Sequence, residues 1–265
     1  MNNLVIGNTS QLAYYFPKEY EKISSRNISR YYDRKFPYFQ DKFYDRVFLC
    51  FAEQRTFLKD ETQIFFDINV DYTLEVLNFF KDKCNKIIVY GTAELWNYHQ
   101  GPISIEDEFS YYNTPYIESK EEMCKRIYEL RSQENLSNVI ILHPVNFNSI
   151  SRKDGFLFSK IFDSIINKKK IQIGNTYFYR DLVHPKYVVE RSILSQEDEI
   201  IGSGRLTHVN DFIRDLYRNK FMDYDEYVTE NFDYSLSNNR KIYYLKSKMC
   251  LYPYSSLFKD TYNEL

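Results

Sequence analysis

KIIVYGT (86–92) is an unbroken apolar run that ends in a glycine and a hydroxyl residue. A run of this kind belongs to a strand buried on both faces, as in a parallel sheet; a half-exposed strand would alternate. NVIILHP (138–144) has the same character, and Leu4-Val5-Ile6 and RVFLCFA (46–52) read as further strands. Helical spacing separates them. TLEVLNFF (73–80) sets Leu74, Leu77 and Phe80 on one side, and GFLFSKIFDSII (155–166) does so with Phe158, Ile161, Phe162 and Ile165. THVNDFIRDLY (207–217) adds the stripe Val209, Phe212, Ile213, Leu216 and Tyr217. Strand alternating with helix predicts an α/β fold with a doubly wound parallel sheet, whose ligands bind at the carboxyl ends of the strands.

One such end carries candidate chemistry. TPYIESK (114–120) opens a helix, with Thr114 as cap and Pro115 at the first helical position, where its missing N–H costs nothing. Tyr116 and Lys120 then stand one turn apart on the same face. An ammonium beside a phenol favours the phenolate and makes the tyrosine a usable general acid/base. Thr92, upstream, is placed to share the proton or to bind a substrate oxygen.

GNTSQLA (7–13) follows the first strand with the spacing G-x-x-S-x-x-A. It reads as a worn glycine turn between strand and helix, with Gly7, Ser10, Gln11 and Leu12 offered to a diphosphate at the helix N-terminus. The next strand ends near KISSRNISR (22–30), where Arg26 is suited to an additional phosphate on a ribose.

Composition excludes several classes. A net charge of −2, from 35 basic and 37 acidic residues, argues against nucleic acid or an anionic membrane as partner. No apolar run approaches the ~18 residues of a membrane span. MNNLVIGNTS lacks the basic start and apolar stretch of a signal peptide, so a cytoplasmic location is expected. Cys50, Cys84, Cys124 and Cys250 show no C-x-x-C pairing and the four His are scattered, which suggests free thiols and no metal. The 26 Tyr and 21 Phe are expected to supply packing.

Taken in order, these segments resemble the extended short-chain dehydrogenase/reductases of the nucleotide-sugar epimerase/dehydratase group. GNTSQLA resembles that family's G-x-x-G-x-x-G/A. FFDINVDYTLEVL (65–77) resembles its N-V-x-x-T-x-x-L helix start, and YGTAELW (90–96) with PISIEDEF (102–109) its S-T-S-E-V-Y and P-x-x-E-D/E segments. TPYIESK matches N-P-Y-x-x-S-K, ILHPVNFNS (141–149) is similar to I-L-R-P-x-N-V-Y-G, and YRDLVHPKYVV (179–189) to V-R-D-F-V-H-V-D-D-V. GSGRLTHVNDFIRDLY (202–217) with DYDEYV (223–228) looks like the tail of GDP-mannose 4,6-dehydratases and their neighbours.

The resemblance implies a Rossmann-type domain over 1–145 that binds NADP(H) and carries the catalytic residues. Residues 146–265 would complete the sheet and form a small C-terminal substrate-binding lobe. Thr92, Tyr116 and Lys120 match the catalytic triad, with Glu94 a further acid/base candidate. Asn69 aligns with an asparagine used near the cofactor, and Asn146 and Arg180 with residues near a nucleotide-sugar diphosphate. Ser10 replaces the middle glycine and His143 the Arg before Pro144. The chain also stops at Leu265, which implies a trimmed lobe.

The expected reaction is NADPH-dependent reduction of a 4-keto group on a nucleotide-linked, GDP-type 6-deoxy hexose or heptose, in surface-polysaccharide sugar biosynthesis. Ala93, which lacks the acid of the dehydratases' Asp-Glu pattern, favours it. A 4,6-dehydratase, a 4-epimerase and an inactive NADP-binding sensor or scaffold are the alternatives. Family members commonly form homodimers through two helices, here those bearing Leu74, Leu77 and Phe80 and Met123, Ile127 and Leu130.

Overall fold

The computed structural model describes residues 2–25, 39, 41–55, 62–133, 136–152, 155–231 and 242–265. Six strands, β1 (Asn3–Ile6), β2 (Glu21–Ile23), β3 (Tyr44–Leu49), β4 (Cys84–Tyr90), β5 (Val139–Pro144) and β6 (Glu199–Ile201), form one sheet in the order β6-β5-β4-β3-β1-β2. β1 pairs in parallel with both β2 and β3, β3 with β4, and β4 with β5. Leu4, Val5, Ile6, Val47, Phe48, Ile87, Ile88, Ile141 and Leu142 are buried along these strands, as their unbroken apolar runs require. The chain goes from β1 out to β2 on one side and returns to β3 on the other. The switch point of this Rossmann-type sheet therefore lies between the carboxyl ends of β1 and β3, at Gly7 and Cys50.

The chain divides into two compact units. The first comprises residues 1–95, 111–144 and 189–199 and the second 96–110, 145–188 and 200–265, so the units interleave along the sequence.

In the first unit, α1 (Thr62–Phe66) runs through a π-helical stretch, Asp67–Tyr72, into α2 (Thr73–Phe80). The helix expected at 73–80 is thus the last part of a longer helical run, and Asn69 sits inside it. α3 (Pro115–Ser132) starts as its sequence dictates: Thr114 Oγ1 accepts the Ile117 amide at 3.3 Å, and Pro115 is the first helical residue. Arg131, in its last turn, makes a bidentate pair with Asp198 at 2.7 and 2.8 Å, and Asp198 also accepts the Ile141 amide at 2.7 Å. Leu77, Phe80, Met123 and Ile127 are buried in the chain's own core, whereas Leu74 and Leu130 remain partly exposed.

The second unit contains four two-stranded pairings: 146–147 with 182–183, 171–174 with 228–231, 179–180 with 207–208, and 102–103 with 244–245. Its longer helices among the described residues are α4 (Leu157–Asn167), α6 (Val209–Asn219) and α7 (Tyr254–Tyr262); α5 (Pro185–Leu194) begins in it. Aromatic rings fill it. Phe158 meets Phe212 at 6.0 Å, Phe212 meets Tyr254 at 5.9 Å, and the Tyr217 hydroxyl, buried with its ring, donates to Ser164 Oγ at 2.7 Å.

Candidate active site

Gly7 makes the turn after β1. Its φ is +102°, and a Cβ there would lie 2.8 Å from the carbonyl oxygen of Cys50, so no other residue fits without displacing backbone. The Gly7 and Asn8 amides both donate to Ile23 O, at 2.9 and 3.0 Å. Ser10 N donates to Gly7 O at 2.9 Å, and Ser10 Oγ accepts the Ala13 amide at 3.1 Å.

The helix expected to follow is not there; residues 8–16 are turns and bends. Ser10 caps a single turn that is not continued, Pro17 interrupts the path, and β2 starts at Glu21. Lys22 Nζ takes up the carbonyls of Ala13 and Phe16 at 2.9 and 2.8 Å, bonds that a helix would have made internally. Gln11 and Leu12 are buried, and Phe16 closes on Phe48 with ring centroids 4.6 Å apart. Arg26 lies outside the described residues.

Asn69 is committed to the scaffold. Its Oδ1 accepts the Glu53 amide at 2.8 Å, and its Nδ2 donates to Glu53 O and to Ser119 Oγ, both at 2.9 Å. Ser119 in turn donates to the carbonyl of Tyr116 at 2.8 Å. The loop after β3 and the first turn of α3 are therefore tied through one buried side chain. Glu53, Ser119 and Lys22 were not singled out from the sequence, where each reads as an ordinary loop or helix polar residue.

The residues with chemical potential converge where β4 ends. Lys120 is 2% exposed, and its Nζ donates to Tyr90 O, the last carbonyl of the strand, at 2.7 Å. Thr92 follows two residues later, buried, with Oγ1 accepting the Glu94 amide at 3.2 Å. That bond leaves the Thr92 proton available to a substrate oxygen. Tyr116, half-buried, stands one turn before Lys120 on α3. Burial lowers the Lys120 pKa to about 8, with Cys124 acting in the other direction. The ammonium still predominates at neutral pH, so it can stabilise a phenolate at Tyr116. Ala93 is fully buried at the start of the 3-10 turn Ala93–Trp96, and Glu94 is partly exposed beside it.

Asn146 and Arg180 belong to the second unit. Asn146 lies on the strand 146–147. Arg180 is buried, its guanidinium 4.4 Å above the Phe178 ring with Nη1 donating to Tyr179 O at 2.7 Å. Asp181, next to it, accepts Ser203 N, Ser203 Oγ and Leu245 N at 2.8, 2.6 and 3.0 Å. This buried carboxylate, raised in pKa by burial and opposed by those donors, organises the surrounding loop, and sequence reading passed over it.

No protein-family model and no curated protein matches the sequence. Solved structures do. A UDP-N-acetylglucosamine 4-epimerase from Methanobrevibacter ruminantium M1, in complex with UDP-N-acetylmuramic acid, superposes with a TM-score of 0.77 at 14% identity, over 99% of this chain and 97% of that one. RMD from Pseudomonas aeruginosa, complexed with NADPH, gives 0.77 at 13% over 100% and 99%. The dTDP-glucose 4,6-dehydratase DesIV from Streptomyces venezuelae, a double mutant with NAD bound, gives 0.76 at 15% over 99% and 96%.

The chain thus has the Rossmann-type fold of nucleotide-sugar epimerases and dehydratases. At these identities the likeness is one of fold. It runs almost end to end, so no uncovered lobe corresponds to the trimming expected after residue 146. Two features of the described residues would suit a dinucleotide, the backbone left without a Cβ at Gly7 beside the switch point and the Thr92, Tyr116, Lys120 group; residues 8–16 form no helix whose N-terminus could face a diphosphate.

Proposed function

We propose that this chain is a nicotinamide-dinucleotide-dependent enzyme acting on a nucleotide sugar, and that its reaction is reduction of a 4-keto group on a nucleotide-linked 6-deoxy hexose or heptose, with GDP as the nucleotide. The observation that carries the reading is the buried Lys120 ammonium, bonded to Tyr90 O two residues before Thr92 and one turn from Tyr116. A bound reduced nicotinamide supplies the hydride. Tyr116 gives its proton to the oxygen that becomes the alkoxide, Thr92 donates to the same oxygen and orients it, and Lys120 holds Tyr116 acidic. The turn from Gly7 to Leu12 would receive the diphosphate, and Asn146 and Arg180 the sugar nucleotide. For NADP(H) over NAD(H) the support is Arg26 alone; Arg26→Ala is expected to weaken NADPH binding more than NADH binding, and equal losses remove the preference.

Two features favour the reductase over the dehydratase or epimerase. Ala93 presents no acid after Thr92. The turn at Gly7 offers no helix dipole to the diphosphate, which suits a cofactor that leaves after each turnover better than one retained through an internal hydride cycle. NADPH oxidation, followed at the nicotinamide absorbance with a GDP-4-keto-6-deoxy sugar, tests the proposal. Stoichiometric oxidation supports it; binding of NADPH without turnover of any 4-keto sugar nucleotide overturns it in favour of a sensor or scaffold. A homodimer through Leu74 and Leu130 is part of the proposal, and a monomeric mass at micromolar concentration would contradict it.

A further inference from the structure

We propose that, in the dinucleotide-dependent enzyme put forward above, Lys22 stands in for the missing helix: its ammonium holds the far end of the loop that follows Gly7 and lends that loop the positive charge a helix N-terminus would aim at a diphosphate. Two adjacent residues of β2 clamp the loop 7–16 at both ends. At its start the Gly7 and Asn8 amides donate to Ile23 O at 2.9 and 3.0 Å. At its far end Lys22 Nζ donates to Ala13 O and Phe16 O at 2.9 and 2.8 Å. Between the clamps the Ala13 amide donates to Ser10 Oγ at 3.1 Å, and Ser10 N donates to Gly7 O at 2.9 Å. Through Ala13 alone, the ammonium is tied to Ser10 in the middle of the diphosphate turn.

Ala13 and Phe16 are buried, so their carbonyls need a partner once no helix supplies one. A neutral donor would satisfy them equally well; what Lys22 adds is a charge. Both bonded partners of Nζ are neutral oxygens, so no bonded carboxylate cancels that charge. Burial lowers the Lys22 pKa from the ordinary lysine value, while Cys50 and Glu19 act to raise it. A helix end presents about half a positive charge and an ammonium a whole one. The ammonium lacks the row of directed N–H groups that a helix end offers, so it attracts a diphosphate without cradling it. That accords with a cofactor released after each turnover.

The test is NADPH binding in the absence of any sugar, with variants that part the two roles. Lys22→Met removes the bonds and the charge, Lys22→Gln keeps an N–H donor and removes the charge, and Lys22→Arg keeps both. Lys22→Met and Lys22→Gln are each expected to raise the NADPH Kd about tenfold, and Lys22→Arg to recover most of the loss. In the free protein Lys22→Met should also speed hydrogen exchange at the Ala13 amide and leave the amides of β3 and β4 unchanged.

Reciprocity supplies a second measurement on the unmodified chain. If the charge is worth tenfold in affinity, bound NADPH must raise the Lys22 pKa by about one, read from the Nζ resonance. A Lys22→Gln variant that binds NADPH as tightly as the parent overturns the proposal, and so does a Lys22 pKa that NADPH leaves unmoved; Lys22 is then a structural tie. A parent that binds NADPH and reduces no sugar nucleotide overturns the reaction and not the role of Lys22. A parent that binds neither NADPH nor NADH overturns both.

Discussion

Lys120 donates to the carbonyl oxygen of Tyr90 at 2.7 Å, closing α3 onto the end of β4 with a fully buried ammonium. The contact has a thermodynamic sign. Burial sets the folded pKa near 8, below the ordinary lysine value, so between about pH 8 and 10.5 the unfolded chain holds more protons than the folded one. Stability contributed through Lys120 therefore rises with pH across that window, by up to about 3 kcal/mol for a shift of this size. Lys120→Met is expected to abolish that rise relative to the parent in urea titrations at pH 7.5 and 10. It should also abolish turnover, and in the parent kcat/KM should fall above about pH 8 as the ammonium is lost. Parallel stability profiles for parent and variant would show that Lys120 is solvated.

Tyr116→Phe removes only the acidic hydroxyl. The variant should fold and bind NADPH like the parent while kcat falls by roughly 10²-fold or more. Activity within a few-fold of the parent would mean that the proton comes from another group.

Asn69→Leu strips partners from the Glu53 amide and carbonyl and from Ser119 Oγ at once. A cost of about 1–3 kcal/mol per orphaned buried group is expected, seen as a lower urea midpoint. Faster hydrogen exchange at the Glu53 amide should accompany it. Asn69→Asp keeps the acceptor for Glu53 N and should preserve that protection, though not the bonds made by Nδ2. A variant as stable as the parent would mean that water replaces the side chain.

Gly7→Ala forces a side chain into a φ of +102° and within 2.8 Å of Cys50 O. The expected cost is about 1–3 kcal/mol, with weaker dinucleotide binding as the β1 turn opens. Unchanged stability and affinity would place the turn elsewhere.

The strands and the start of α3 could be read from the residues because both signals are local. Ile87 to Val89 and Val139 to Leu142 run apolar without the alternation of a strand that has one wet face, and Thr114 with Pro115 can begin a helix without outside help. What could not be read depended on partners distant in the chain. Nothing in GNTSQLA says that its helix stops after one turn; that follows from Lys22, beyond Pro17, taking the Ala13 and Phe16 carbonyls. Asn69 matched a family position near the cofactor, but the π-helical stretch around it turns its amide to Glu53 and Ser119.

Which reaction occurs is decided by Glu94 and by the fate of the cofactor. A dehydratase or epimerase returns its hydride, so it consumes GDP-mannose or a GDP-heptose with no net change in nicotinamide absorbance. A reductase leaves those substrates untouched and oxidises one NADPH for each 4-keto-6-deoxy sugar. Elimination across C5 and C6 also requires a base, and with Ala93 buried the carboxylate offered after Thr92 is Glu94. Glu94→Gln preserves shape and removes the base. In a dehydratase that loss should be close to total, whereas a reductase, which needs only the Tyr116 proton and the Thr92 hydrogen bond at the carbonyl oxygen, should lose no more than about tenfold. The expected result is NADPH oxidation that tolerates Glu94→Gln and does not tolerate Tyr116→Phe. Consumption of the unreduced sugar nucleotide, abolished by Glu94→Gln, would replace the reductase with a dehydratase built on the same Thr92, Tyr116 and Lys120.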